Sequence, residues 1–300
     1  MKKIANVLLS GLTVSLLFSC NNAGSEAKTA PAEPAAAVKI EDQGVHIDFT
    51  DSGKGDTVLL LIHGWCLNKS YWSDQVTYFK DRYRVVAVDL PGFGQSGKNR
   101  SDWSVETYGK DIDSVMDQLN LKNVILVGHS FAGNIIVEAA LHAPDRVLGL
   151  VGIDNFKGFG QIESKEAKEE DASIMKALKN NFKGIVVEYF KQGLFYKTTD
   201  SAVQKRILND VVQCDSAVAI PSIEAADQYQ DVPKLTAVKK KIYLINTDVT
   251  PTDTAGFKAN KIPYEIYYVH ATGHFPMVEK PAEFNTQLAK VIGRIGTGAR

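Results

Sequence analysis

The run Val124-Ile125-Leu126-Val127-Gly128-His129-Ser130-Phe131-Ala132-Gly133 constrains the fold more than any other stretch of the chain. Its apolar half reads as a buried strand, and across residues 131–142 the apolar residues Ile135, Ile136, Ala139 and Ala140 recur at helical spacing. Ser130 therefore falls on a strand-to-helix turn. A turn that sharp holds the serine backbone in a sparsely populated conformation, and it closes only where the residues two before and two after carry almost no side chain. Gly128 and Ala132 meet that condition, with Gly133 directly behind.

Two further loops supply what a serine nucleophile needs. Thr57-Val58-Leu59-Leu60-Leu61-Ile62 is another apolar strand run, and it ends in His63-Gly64-Trp65. Acyl transfer needs N–H groups aimed at the developing oxyanion, one from the residue after the nucleophile and one from the loop after an earlier strand. The backbone N–H groups of Phe131 and Trp65 are the candidates. Residues 264–269 form a third strand-like run, followed by Ala271-Thr272-Gly273-His274-Phe275-Pro276. His274 is the candidate base.

Four signatures now stand in order: His63-Gly64-Trp65, then Asp89-Leu90-Pro91-Gly92-Phe93-Gly94-Gln95-Ser96, then the Ser130 turn, then Gly273-His274-Phe275-Pro276 with Glu279 and Pro281 behind. Over about residues 45–295 the chain resembles the α/β-hydrolase family. The resemblance implies an α/β fold with a mostly parallel central sheet and a helical cap inserted after the strand that follows the nucleophile helix. It also implies attack by serine, with histidine as general base and a carboxylate that orients the imidazole. The chain order in such folds is serine, acid, histidine.

The acid has three candidates. Family members mostly carry it in a pattern like Leu-Ile-x-Gly-x-x-Asp, whereas this chain reads Leu244-Ile245-Asn246-Thr247-Asp248-Val249-Thr250-Pro251, with Thr250 at the aspartate position. Asp248 lies two residues early and Asp253 three residues late. A second location within the family, as in one group of haloalkane dehalogenases, is the end of the strand after the nucleophile helix. Arg146-Val147-Leu148-Gly149-Leu150-Val151-Gly152-Ile153-Asp154 resembles that arrangement. Asp154 ranks first, Asp248 second and Asp253 third.

Other motifs are read as structural. Gly92-Phe93-Gly94-Gln95-Ser96-Gly97 is formally a dinucleotide fingerprint, but the polar loop Lys98-Asn99-Arg100-Ser101-Asp102 follows where a helix should open. His129 adjoins the nucleophile and points elsewhere, His63 shapes its loop, and His270 ends a strand. No metal-ligand spacing is present, and no cofactor is expected.

Between 155 and 235 the strand–helix alternation stops, and segments 166–180, 185–192, 201–212 and 216–228 read as helices. Domain boundaries are expected at 38–155 and 236–300 for the core and 156–235 for the cap. Residues 38–49 and 57–62 are expected to form a first hairpin. The aromatic residues Phe156, Phe159, Phe182, Tyr189, Phe190, Phe195 and Tyr196 either line the pocket beneath the cap or pack its core, and for most of them core packing is the reading taken.

The N-terminus carries Lys2-Lys3 and an apolar stretch over 7–18, the pattern of a secretion signal. Leu17-Phe18-Ser19-Cys20 resembles a bacterial lipobox, which implies a signal peptide at 1–19, lipidation of Cys20 and a flexible tether over 20–37. The expected location is the bacterial cell envelope, as a lipid-anchored lipoprotein, with secretion or a periplasmic location as the alternative. Charge is nearly balanced, with 34 basic and 35 acidic residues. That balance gives no footprint for nucleic acid, so the lipid anchor is the expected membrane contact. Cys66 and Cys214 are expected as free thiols.

The expected partner is a small-molecule substrate, and the expected activity is serine hydrolysis of a small or medium ester, lactone or related acyl compound. Serine at the nucleophile position disfavours dehalogenase and epoxide hydrolase chemistry, which in this family use a carboxylate there. Alternatives are an aminopeptidase with Glu163, Glu166 or Glu188 holding the substrate amine, a C–C hydrolase, cofactor-free perhydrolysis, or a non-catalytic receptor for a small ligand.

Overall fold

The computed structural model describes residues 38–298. The expected signal peptide, Cys20 and the tether to residue 37 lie outside the described residues. Among the described residues no helix is long and apolar enough to cross a membrane.

A seven-stranded sheet forms the centre, in the order β3-β5-β4-β6-β7-β8-β9. Its strands are β3 (Phe49–Asp51), β4 (Val58–Ile62), β5 (Arg84–Val88), β6 (Val124–His129), β7 (Val147–Ile153), β8 (Ile242–Thr247) and β9 (Tyr264–Val269). Every neighbouring pair is parallel except β3 with β5. This is the mostly parallel sheet expected from the alternation of apolar runs.

The expected hairpin over 38–49 and 57–62 does not form. Instead β1 (Ile40–Asp42) and β2 (Val45–Ile47) make their own antiparallel ribbon, closed by Gln43 and Gly44 at φ of 48° and 80°. Positive φ at both central residues is what a two-residue turn needs to follow the strand twist. β4 is buried along its whole length and pairs with β5 and β6. An apolar run with no polar face belongs inside a parallel sheet rather than in a one-sided hairpin.

Helices α1 (Ser73–Phe79), α2 (Val105–Gln118), α3 (Ala132–His142) and α11 (Pro281–Gly298) flank the sheet, α2 packing on α3 and α1 on α11. Ser104 starts α2 by accepting a hydrogen bond from the Thr107 N–H, a cap worth about 1 kcal/mol. Val105, Tyr108, Ile112, Val115 and Met116 of that helix are buried.

Five helices separate β7 from β8: α4 (Lys165–Asn180), α5 (Phe182–Gly193), α6 (Ser201–Gln213), α7 (Ser216–Asp227) and α8 (Asp231–Val238). The side chains of Ser164, Asn181, Asp200 and Asp215 cap the first four, which explains why short polar breaks divide this region so cleanly. The fifth, α8, extends the helical insertion past 235. Two short helices, α9 (Ala255–Ala259) and α10 (Pro276–Glu279), complete the chain.

Candidate active site

Strand register decides what meets at the carboxyl edge of the sheet. His129 of β6 pairs with Ile153 of β7, and Ile153 pairs with Ile245 of β8. The next residues on the first two strands, Ser130 and Asp154, therefore emerge side by side. Both turn at once into left-handed backbone, with φ of 51° and 48°. Strain of this kind persists only where the surroundings over-determine it. At Gly128 they do: a Cβ there would lie 2.5 Å from the Ala132 carbonyl oxygen.

His274 reaches the same edge from the loop after β9. Its Nε2 lies 2.7 Å from Ser130 Oγ and its Nδ1 lies 2.6 Å from Asp154 Oδ2. A carboxylate accepts, so Nδ1 carries the ring proton and Nε2 is left to accept from the hydroxyl. Burial alone would raise the Asp154 carboxyl. The hydrogen bond from His274, its charge and the Lys157 ammonium outweigh burial and hold it well below the usual carboxylate range.

Asp248, the second candidate acid, is not in this group. Its carboxylate faces His270 Nδ1 at 3.1 Å and accepts from the Ala271 N–H at 3.0 Å, so it braces the exposed loop instead. Asp253 is also elsewhere, accepting from Gln161 and from the Ala255 N–H. The physical reason lies in β8, whose end is already committed. Asn246 donates to the Asn155 carbonyl at 3.1 Å and to Thr252 Oγ1 at 2.9 Å, and the Asp248 carboxylate beyond it is taken up by His270 and the Ala271 N–H.

Trp65 and Phe131 both line the cavity beside Ser130. Among the described residues neither backbone N–H has a hydrogen-bond acceptor. Phe131 also immediately precedes α3, whose amino end favours developing negative charge. The Trp65 loop is held from both sides. His63 Nδ1 donates to the Gly64 carbonyl at 2.8 Å while its Nε2 accepts from the Leu90 N–H at 3.0 Å. Trp65 Nε1 donates to the Ala219 carbonyl of the helical insertion at 2.8 Å.

Several supports carried only a weak signal in the sequence. His129 Nε2 donates to the backbone carbonyl of His274 at 2.8 Å, and burial, with the nearby His274, takes its titration down to about 3. It is a neutral strut. Glu279 accepts from the N–H groups of Gly273 and Phe275, and the His274 N–H donates to the Leu194 carbonyl at 2.7 Å. The insertion thus grips the histidine loop directly. The Asp89-Leu90-Pro91-Gly92 stretch is structural as well: Asp89 accepts from the Lys69 and Gln95 N–H groups, and a Cβ on Gly94 would lie 2.2 Å from its carboxyl carbon.

A cavity of about 380 Å³ opens over Ser130. Phe156, Phe159, Tyr189 and Phe190 line it together with Trp65 and Phe275, so for these four the pocket-lining alternative holds. Periodicity cannot separate a helix face turned to packing from one turned to a void, so these residues had no distinguishing pattern. Glu163, Glu166 and Glu188 are exposed and do not line it. Among the described residues no cluster of side chains is suited to a metal ion, and Cys66 and Cys214 are free thiols.

A parallel sheet, a strained serine at one strand end and a histidine and a carboxylate converging on it define the α/β-hydrolase fold. Residues 57–195 match the family model described as alpha/beta hydrolase fold. The chain is similar to human epoxide hydrolase 4, at 32% identity over 39% of this chain and 33% of that protein, so it spans about a third of the relative's length. Among solved structures it is similar to an esterase from Exiguobacterium antarcticum, with a TM-score of 0.75, 21% identity and coverage of 85% and 99% of the two chains. A thermophilic esterase from Thermogutta terrifontis gives a TM-score of 0.72 at 23% identity, covering 86% and 98%. The chain carries the fold of the α/β-hydrolase superfamily.

Proposed function

We propose that this protein is a serine hydrolase acting on a small or medium ester, lactone or related acyl compound. The observation that carries the reading is the unbroken relay from Ser130 Oγ through His274 to Asp154, with contacts of 2.7 Å and 2.6 Å.

Ser130 attacks the substrate carbonyl while His274 Nε2 takes the hydroxyl proton. Asp154 keeps the imidazole in the tautomer that can accept it and stabilises the imidazolium. The N–H groups of Trp65 and Phe131 receive the oxyanion. His274 then returns its proton to the leaving group, and the acyl-enzyme on Ser130 is hydrolysed by water activated by the same imidazole. The aromatic walls beside Ser130 reduce its contact with bulk water, which strengthens charge interactions in the site. Similarity to an epoxide hydrolase does not redirect this reading: opening an epoxide through an alkyl-enzyme ester needs a carboxylate where this chain has Ser130. The two esterases of the same fold agree with acyl chemistry.

The test is hydrolysis of p-nitrophenyl acetate and stoichiometric labelling by a fluorophosphonate. Ser130→Ala is expected to lose turnover by about 10⁴-fold or more, and to lose labelling, with the circular dichroism spectrum unchanged. Retention of most activity would sink the proposal, and labelling without turnover on any ester would favour the ligand-receptor alternative.

A further inference from the structure

We infer that Lys157 is a positioning residue for the relay: its ammonium fixes the Asp154 carboxylate and extends the working range of His274 as a base toward lower pH. The inference rests on the reading of Ser130, His274 and Asp154 given above.

The two oxygens of Asp154 are unequally loaded. Oδ2 accepts from His274 Nδ1. Oδ1 accepts from the Thr247 N–H at 2.7 Å and the Thr247 hydroxyl at 2.8 Å, and it lies 2.7 Å from Lys157 Nζ. Lys157 Nζ also donates to the Thr247 carbonyl at 3.2 Å. The Lys157 side chain is only 15% exposed. A cation so placed is stable against an anion, and the anion here is the group that orients His274.

Serine–histidine–carboxylate chemistry does not require such a cation, so its presence has a separate consequence. A carboxylate alone increases the proton affinity of the imidazole it touches, and an ammonium on the far side of that carboxylate opposes the effect.

The other charged or titratable groups around His274 do not substitute for Lys157. His129, its ring tilted 48° against that of His274 with centroids 4.9 Å apart, is neutral. Glu279 beneath the loop is engaged by backbone N–H groups and by Thr199. Asp231 lies on the insertion side of the same cavity and is negative when ionised. The Asp248 and His270 side chains pair with each other in the open. Among the described residues Lys157 is the only lysine or arginine that lines the cavity.

Lys157 sits three residues past Asp154, where the chain leaves β7 for the insertion. Asn155, between them, donates to the Gly128 carbonyl at 3.1 Å and so braces the serine turn. The first residues of the insertion therefore hold both the acid and the nucleophile.

The test is the pH dependence of kcat/KM on an activated ester for wild type, Lys157→Met, Lys157→Arg and Ser130→Ala, together with a titration of the low-field proton resonance of His274 Nδ1–H. Lys157→Met is expected to move the acid limb and the resonance midpoint together to higher pH. Lys157→Arg, which keeps the charge, is expected to restore both. Loosening of the site alone would lower the rate without moving the limb, and an unmoved limb and resonance in folded Lys157→Met overturn the inference. If that variant does not fold, Lys157→Gln, which keeps a donor for Oδ1 without the charge, carries the same test. An inactive Ser130→Ala with an unmoved Lys157→Met limb removes this inference alone. An active Ser130→Ala removes the hydrolase reading beneath it.

Discussion

Asp154 Oδ2 lies 2.6 Å from Nδ1 of His274 across 120 residues of chain, and Asp154 directly follows the strand beside the one that leads into Ser130. Asp154 and Ser130 are thus held by one pair of hydrogen-bonded strands. The histidine arrives on the loop between β9 and α10, and His129, Glu279 and the Leu194 carbonyl hold that loop in place.

Asp154→Asn is expected to lower kcat by about 10³–10⁴-fold, because the amide cannot hold the imidazole in the accepting tautomer. Asp248→Asn is expected to stay within about threefold of wild type, since Asp248 braces an exposed loop away from His274. Steady-state kinetics on one activated ester checks both. Equal defects in the two variants would contradict the assignment of the acid.

Gly128→Ala is expected to destabilise the fold by about 1–3 kcal/mol, because its methyl would meet the Ala132 carbonyl oxygen at 2.5 Å. For a domain of this size that corresponds to a fall in Tm of about 2–4 °C per kcal/mol, read by thermal unfolding. A melting temperature equal to wild type would show that the turn relaxes more freely than its geometry implies.

Stability is expected to fall as pH rises through the range set by Asp111. Burial pushes its carboxyl up to about 7, and Asp42 adds to the effect against the opposing Arg100 guanidinium. The folded value lies above the unfolded one, so this contribution is fully present below about pH 4 and is lost as pH rises toward 7. Asp42→Asn removes the like charge and is expected to flatten that part of the profile and to raise Tm near pH 8. Melting curves of the two proteins that run parallel between pH 4 and 8 would exclude the coupling.

Much of this architecture is legible in the chain because each cue is local. The serine turn needs small neighbours, and Gly128 and Ala132 are small. Helix starts need short polar caps, and Ser104, Ser164, Asp200 and Asp215 provide them. The hairpin expected between 38–49 and 57–62 ignored that β4 has no polar face, and the aromatic residues of the insertion stayed undivided between core and pocket because they look alike whether they fill a core or face a void.

From the sequence alone come the strand–turn–helix that presents Ser130, the loop that carries His274, and the helical insertion between two strands. All three follow from spacing and side-chain size within a few residues. Which carboxylate meets the imidazole is not a local property. Asp154 and Asp248 both stand near the end of a strand in the sheet, and only strand order, register and the commitment of Asn246 at the end of β8 separate them. The same holds for Lys157, whose proximity to Asp154, Thr247 and the cavity exists only once the insertion has folded onto the sheet.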